Sequence, residues 1–252
     1  MNFTILRFDC LPSTNDEAAR QAKLGAAEGV CIVAREQTRG RGRRERVWNS
    51  PADAGLYFSL ILRPTFAARD WSLITLAAAV AVFDALADTC NLSLDIKWAN
   101  DIHTKRGKKL CGILAETVDT VRGAAVILGI GINLTREAIA PDLQEIATSI
   151  ETETSVLPDR EIILAALTGN LQKYYQILHD ISGQQVIIDA WTQRSTYAIG
   201  KEVRVTLETG NLEGITDGLD AMGALRVRLE NGIIKVVYAG DVVALRSQYK
   251  DL

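Results

Sequence analysis

Residues 73–83 read LITLAAAVAVF, eleven residues without a charge, flanked by Asp70 and Asp84. The run is too short for the ~20 apolar residues that a bilayer core requires. A helix that is apolar around its whole circumference has no face to give to water, so it belongs in a core. A buried helix from about Trp71 to Asp88 is therefore the feature around which the chain has to be built. With 252 residues there is enough chain to cover it, as one large domain or one large and one small.

The flanking segments supply the cover. FTILRFD (3–9) reads as a first strand, and a helix starts near Ser13–Thr14. There Thr14 and Glu17 have capping-box spacing, and Ala18, Ala19 and Ala22 follow. VCIVAR (30–35), GLYFSLILR (55–63), LDIKW (94–98), KLCGILAETV (109–118) and AAVILGIGINL (124–134) are β-branched or leucine-rich runs separated by turn residues. Between 159 and 180, Ile162, Ile163, Ala166, Leu167, Leu171, Tyr174, Tyr175 and Leu178 recur at helical spacing, and a second helix ends near Trp191. From Gly200 the texture changes to short alternating strands joined at Thr209-Gly210, Met222-Gly223 and Asn231-Gly232. Such spacing with an Asn-Gly turn predicts a small antiparallel barrel. The expected division is 1–198 and 199–252.

Charge narrows the function. The formal net charge is −3, which argues against general polyanion binding, so any affinity for phosphates must be local. One place offers it: TRGRGRRERVW (38–48), with five arginines in eight positions. A solvated surface loop is the plain reading. Phosphate contact with a nucleic acid is a second, weakened because no aromatic residues interleave and no basic helix follows. A clamp for a small phosphate compound is the third. Gly40 and Gly42 let the backbone bend close to a ligand, and forked guanidinium donors match carboxylate and phosphate oxygens. The four cysteines form no CxxC pair and read as reduced thiols of a cytoplasmic protein. Two histidines leave little material for a histidine-rich metal site or a serine–histidine triad. The N-terminus lacks the pattern of a signal peptide.

Four other stretches are weak singly. STN (13–15) is first a helix cap, although its hydroxyls and amide can also hold a polar ligand head at a helix N-terminus. KWAND (97–101) ends a strand in turn residues, yet Asp101 can also help hold a magnesium ion with substrate phosphates. KKLCGIL (108–114) puts Lys109 at the head of an apolar strand, and GIGIN (129–133) places close-approach glycines inside one. No GK[ST] follows the arginine loop, and no GxGxxG opens a helix.

Taken in order, STN, EQTRGRGRRERVW, LYFSL, KWAND, KKLCGILAE and GIGIN resemble the biotin protein ligases, that is, biotin–[acetyl-CoA-carboxylase] ligases, over nearly the whole chain. GIIKVVYAGDVVALRS is similar to that family's small C-terminal segment. The resemblance implies an α+β fold: a mixed β-sheet flanked by helices, class II synthetase-like, with a small SH3-like β-barrel. It implies activation of biotin with MgATP to biotinyl-5′-AMP and pyrophosphate, then transfer to one lysine of a biotin carboxyl carrier protein. By resemblance, Arg43 and Lys109 are catalytic. Arg41, Gly42, Arg43, Arg46, Trp48, Asn100, Lys109, Asn133 and Arg246 hold the nucleotide or adenylate, with Asp101 the candidate magnesium ligand. Biotin's polar edge falls to Ser13, Thr14, Asn15 and Gln37, and its body to Gly40, Arg41, Tyr57, Gly112, Leu114 and Gly129. Repulsion among its arginines leads one to expect a loop that is mobile until anions enter.

Two departures from the family pattern stand out. Glu45 occupies a position where members commonly carry glycine, and could pair with Arg44 or Arg46. Ala99 replaces the usual proline of KWPND. Only twelve residues precede Ser13, which leads to the expectation of no DNA binding; no membrane association is expected either, and the protein would be a monomer or homodimer. The alternatives are a lipoate or octanoate ligase of the same fold, and a non-catalytic phosphate or nucleic-acid binder.

Overall fold

The computed structural model describes residues 1–208 and 210–245. Arg246 and Thr209 lie outside the described residues, so the nucleotide role expected of Arg246 has no geometry here.

Seven strands form one mixed sheet: β1 (Thr4–Leu11), β2 (Val30–Gln37), β3 (Gly55–Leu62), β4 (Leu94–Lys97), β5 (Asp101–Thr104), β6 (Lys109–Thr120) and β7 (Gly123–Asn133). Their spatial order is β1-β2-β3-β7-β6-β5-β4. The β1–β2 pair is parallel and every other pair is antiparallel. β3 is buried along its entire length, because helices cover both of its faces.

Helix α1 (Thr14–Lys23) crosses one face, setting Ala18 and Ala22 against Ile32, Ile61, Ala125 and Ile127. Small residues at 18 and 22 let the helix approach the sheet closely. The other face carries α2 (Ser72–Cys90) and, outside it, α4 (Arg160–Ile177) and α5 (Gly183–Gln193). A short α3 (Ile150–Thr154) precedes α4. The apolar helix is longer than its eleven-residue signature: α2 runs 19 residues, and the segment 68–90 is long and apolar enough to cross a membrane by length and composition. Packing, rather than shortness, assigns it to the core. Leu73, Ala79, Val80, Ala81, Val82 and Leu86 each have no exposed surface, and the helix is enclosed by the sheet, α4 and α5.

The C-terminal strands β8 (Ile199–Leu207), β9 (Gly210–Leu219), β10 (Leu225–Arg228), β11 (Ile234–Val237) and β12 (Asp241–Ala244) form an antiparallel sheet in the order β11-β10-β9-β8-β12. Among the described residues β11 and β12 do not pair, so the expected small barrel is seen as a five-stranded sheet. Its apolar side (Val203, Val205, Leu225, Val227, Val237, Val242) joins the main core. Hydrogen bonds pin the junction: Trp98 Nε1 donates to the Gly223 carbonyl at 3.0 Å, and Ser72 Oγ to that of Met222 at 2.8 Å. This seats β12 beside the arginine loop.

Candidate active site

The loop between β2 and β3 is a tight hairpin. Arg41 and Val47 form a bridge, Gly42 N–H donates to the Arg46 carbonyl at 2.7 Å, and Arg46 N–H donates to Arg43 at 3.2 Å. At the tip, Arg44 (φ 54°) and Glu45 (φ 60°) both adopt left-handed backbone. Two consecutive positive φ values make a type I′ turn, which favours Asn-Gly and tolerates bulky residues poorly. Glycine at position 45 would fit this backbone without strain.

The guanidinium groups do not face one another uncompensated. Arg41 makes a bidentate pair with Glu116 (3.0 and 2.7 Å) and reaches Asp16 at 2.9 Å. Arg44 (3.4 Å) and Arg46 (2.5 Å) both pair with Asp241 of β12. Arg43 donates to Asn100 Oδ1 at 2.8 Å. Mutual repulsion is therefore not the state of the loop, and Arg44 and Arg46 take Asp241 rather than Glu45 as their carboxylate. An anion that takes Arg41, Arg44 or Arg46 must compete with a protein carboxylate already in place, whereas Arg43 has only an amide to give up.

Beneath the hairpin lies a cavity of about 260 Å³ with two chemically different ends. One is built on the start of α1. Ser13, Thr14 and Asn15 are all buried there. The capping box expected of Thr14 does not form. Ser13 holds the N-cap position without a side-chain cap bond, and Glu17 pairs with Arg20. Thr14 is turned toward β2 instead, where its N–H (2.8 Å) and hydroxyl (3.0 Å) both donate to Gln37 Oε1. Gln37 Nε2 donates to Ser50 Oγ at 2.8 Å, and the Ser50 hydroxyl donates to the Trp48 carbonyl at 3.0 Å. On the other side Ser59 Oγ lies 2.8 Å from Thr14 Oγ1 and 2.6 Å from Asn15 Oδ1. Asn15 Nδ2 donates to Glu116 at 2.8 Å. Two runs of hydrogen bonds, Glu116–Asn15–Ser59 and Thr14–Gln37–Ser50–Trp48, thus meet where Ser59 Oγ touches Thr14 Oγ1.

The second end is charged. Lys109, at the head of β6, sits 2.8 Å from Asp101 Oδ1, and its ammonium lies 5.4 Å from the centre of the Trp48 ring. Asn100 Nδ2 donates to the Ile113 carbonyl at 2.8 Å, which leaves Oδ1 for Arg43. Asn133 donates to the Thr148 carbonyl at 3.0 Å. Burial raises the Asp101 pKa, but the His103 ring and the Lys109 ammonium outweigh it and hold the carboxyl at about 2. Lys97, opposite Asp101 in register, is pushed down from its ordinary value by burial. Trp48 Nε1 is buried without a hydrogen-bond partner among the described residues, an open donor inside the cavity.

Glycines in β6 and β7 make room for both ends. Gly112 and Gly131 are directly paired across the two strands. The Trp48 ring lies on them, and a Cβ at Gly131 would come within 2.5 Å of Trp48 Nε1. Two residue pairs further, a Cβ at Gly129 would collide with Asn15 Oδ1. The GIGIN glycines are thus explained by what stands over them.

Of the residues singled out in the sequence, Ser13, Thr14, Asn15, Gln37, Arg41, Gly42, Arg43, Arg46, Trp48, Asn100, Asp101, Lys109, Gly112, Leu114, Gly129 and Asn133 line this one cavity. Two do not. Tyr57 is 1% exposed and donates its hydroxyl to the Pro51 carbonyl at 2.9 Å, so it braces the loop's exit rather than walling the cavity. Gly40 stands at the base of the hairpin, its carbonyl accepting from Trp48 N–H, and a Cβ there would collide with the Trp48 carbonyl and Ser50 Oγ. Sequence reasoning missed Asp241 in the lining, the apolar wall of Ala138, Ile139, Leu143, Ile146 and Ala147, and, behind the lining, Ser59 and Glu116, which bond to Thr14, Asn15 and Arg41. Glu116 had a usable signal. It follows Gly112 and Leu114 at the period of two, which puts all three on one face of β6.

Comparison with known proteins agrees with this layout. Residues 8–133 match the model of the biotin/lipoate A/B protein ligase family, and residues 198–244 match the biotin protein ligase C-terminal domain. The Bacillus subtilis bifunctional ligase/repressor BirA is 33% identical over 94% of this chain and 73% of its own length. A biotin–[acetyl-CoA-carboxylase] ligase of Mycobacterium tuberculosis is 35% identical over 93% and 86%. The structure of the biotin protein ligase from Aquifex aeolicus in complex with biotin and ATP aligns with a TM-score of 0.83 at 27% identity, covering 97% of this chain and 99% of that one.

Proposed function

The chain belongs to the biotin/lipoate A/B protein ligase family, and from that premise we propose that it is an ATP-dependent biotin protein ligase acting on a carrier protein. In the first step an oxygen of the biotin carboxylate attacks the α-phosphorus of ATP. The new O–P bond forms as the α–β bridge breaks, giving biotinyl-5′-AMP and pyrophosphate. In the second, a lysine ε-amine of a biotin carboxyl carrier protein attacks the acyl carbon, the bond to AMP breaks, and the nitrogen loses a proton. The observation that carries this reading is the two-ended cavity, with a neutral hydrogen-bonding chain at one end and Arg43, Arg46 and Lys109 at the other.

The chemistry asks for both ends. A carboxylate and a phosphate brought together repel by several kcal/mol at reduced dielectric, on the order of 4 kcal/mol for unit charges 4 Å apart. Lys109 and Arg43 would offset that repulsion and the charge that gathers on the phosphoryl oxygens. Arg46, held by Asp241, would be released to phosphate as Asp241 gives it up. Asn100, Asn133 and Trp48 would complete the nucleotide side. Ser13, Thr14, Asn15 and Gln37 would meet a urea's two N–H donors and carbonyl, over the floor of Gly112, Leu114 and Gly129. Arg41 and Gly42 would close over the junction.

The donor set suits magnesium, which takes one or two carboxylates together with substrate phosphates. Asp101, ionised down to about pH 2 and in ion-pair contact with Lys109, is the residue that would hold it. When bound, the ion would supply further neutralisation of phosphate charge. Four free cysteines support a reducing, cytoplasmic setting. The division expected from sequence, 1–198 and 199–252, we propose as the domain boundary.

Pyrophosphate release tests the proposal. Release with biotin and MgATP, and none with lipoate in place of biotin, is the expected result. Release with lipoate alone would reassign the acyl substrate, and release with neither would refute the ligase reading.

A further inference from the structure

Glu116 is the residue through which the two walls of the neutral end meet. Its carboxylate, on β6, accepts two hydrogen bonds from Arg41 of the hairpin (3.0 and 2.7 Å) and a third from Asn15 Nδ2 of α1 (2.8 Å). Those three elements are otherwise distant in the chain; Arg41 and Glu116 stand 75 residues apart. An amide can be turned either way round, and the carboxylate decides which way. A carboxylate accepts and never donates, so the Asn15 NH₂ must face it, and Oδ1 must then face the Ser59 hydroxyl at 2.6 Å. The missing Cβ of Gly129 leaves the space in which that oxygen sits.

The consequence reaches Ser59. With its proton drawn toward Asn15 Oδ1, Ser59 leaves the Thr14 hydroxyl free to donate to Gln37 Oε1. Gln37 is oriented separately: the Thr14 backbone N–H donates to Oε1 at 2.8 Å, which leaves Nε2 for Ser50. The carboxylate thus sets the polarity of Asn15 and Ser59, the part of the neutral end nearest the hairpin's Arg41. The same carboxylate ties the hairpin down over that end, because Arg41 is the arginine nearest to it and is occupied by Glu116 and Asp16.

We propose that Glu116 is a positioning residue for biotin: it fixes the orientation of the Asn15 amide and straps Arg41 across the mouth of the neutral end, so that it slows escape of the bound vitamin. The inference rests on the biotin ligase reading. It assigns Arg41 a closing role and leaves phosphate to Arg43, Arg46 and Lys109.

The test compares the intact protein with Glu116→Gln and with the charge exchange Arg41→Glu/Glu116→Arg, measuring the biotin dissociation rate, the KM for ATP and the thermal midpoint. Hydrogen bonds to charged groups are worth enough that Glu116→Gln should release biotin about tenfold faster or more. The KM for ATP should stay within about twofold, since Glu116 bonds to none of Arg43, Arg46 and Lys109, and the thermal midpoint should hold within a few degrees. The exchanged pair should recover part of the slow release while the single change Arg41→Glu does not. Unchanged release from Glu116→Gln, in a protein that binds biotin normally, overturns the inference. So does a loss in which both substrates and the midpoint fall together, because that is the mark of general loosening. Failure of the unaltered protein to bind biotin sinks the ligase reading itself, a result plainly distinct from the other two.

Discussion

The two ends of the cavity are built on opposite principles. At the neutral end each polar side chain from Glu116 to Ser50 has a partner, and the partners leave little choice of orientation. At the charged end, by contrast, among the described residues Trp48 Nε1 has no partner, Lys109 is held by one ion pair, and Arg44 and Arg46 share one carboxylate. A site that recognises an uncharged ring gains from fixed hydrogen-bond directions, because a mismatched buried donor is costly. A site that must receive phosphates gains from ion pairs that can be exchanged for stronger ones. The difference teaches where to look for specificity and where to look for rate.

The comparison can be broken most forcefully at Lys109. Lys109→Ala should slow adenylate formation by about 100- to 1,000-fold, the scale of losing one charge-stabilising group, while biotin affinity stays within about threefold. Single-turnover pyrophosphate release and equilibrium biotin binding check the two halves. Glycine substitutions sharpen the contrast. Gly129→Ala drives a methyl group into Asn15 and should raise the KM for biotin by about tenfold, the price of a displaced hydrogen-bonding group. Gly131→Ala drives one into Trp48 and should instead raise the KM for ATP by a similar factor, about tenfold. Equal effects on both substrates from either change would erase the distinction between the ends.

Smaller effects follow from Asp101 and Glu45. The Asp101 pKa is lowered from its ordinary 3.8 to about 2 in the folded protein, so its ionised form stabilises the fold above pH 4. That contribution should fade as pH falls from about 4 to 2, and Asp101→Asn should make the loss of stability across this window shallower. Denaturant titrations of the two proteins across pH 2–6 measure it. Glu45→Gly removes a side chain from a left-handed turn position and should favour the observed hairpin by about 1 kcal/mol. Slower proteolysis within residues 40–48 would register the gain.

Much of the fold was legible because long periodic signals are hard to misread. The helix around residues 73–83, the helical spacing from 162 to 178 and the alternating strands after Gly200 all depend on local pattern. β5 and α3 escaped because four residues of DIHT and five of IETET are too few to show a period. In the site, the ordered motifs brought sixteen of the expected residues to one cavity. What could not be read was pairing across the chain. Thr14 satisfies a local capping rule, yet Gln37, 23 residues away, takes its hydroxyl. Asp241 lies 195 residues from Arg46, and no local feature of the arginine run points to it. A charge cluster in sequence therefore overstated its repulsion, because its counter-charges come from β6, α1 and β12.

The most direct measurement is the mass of a biotin carboxyl carrier domain after incubation with this protein, biotin and MgATP. The account predicts one biotinyl group added to one lysine, dependent on both small molecules. A carrier domain that stays unmodified under those conditions, while the protein binds biotin and ATP, would contradict it.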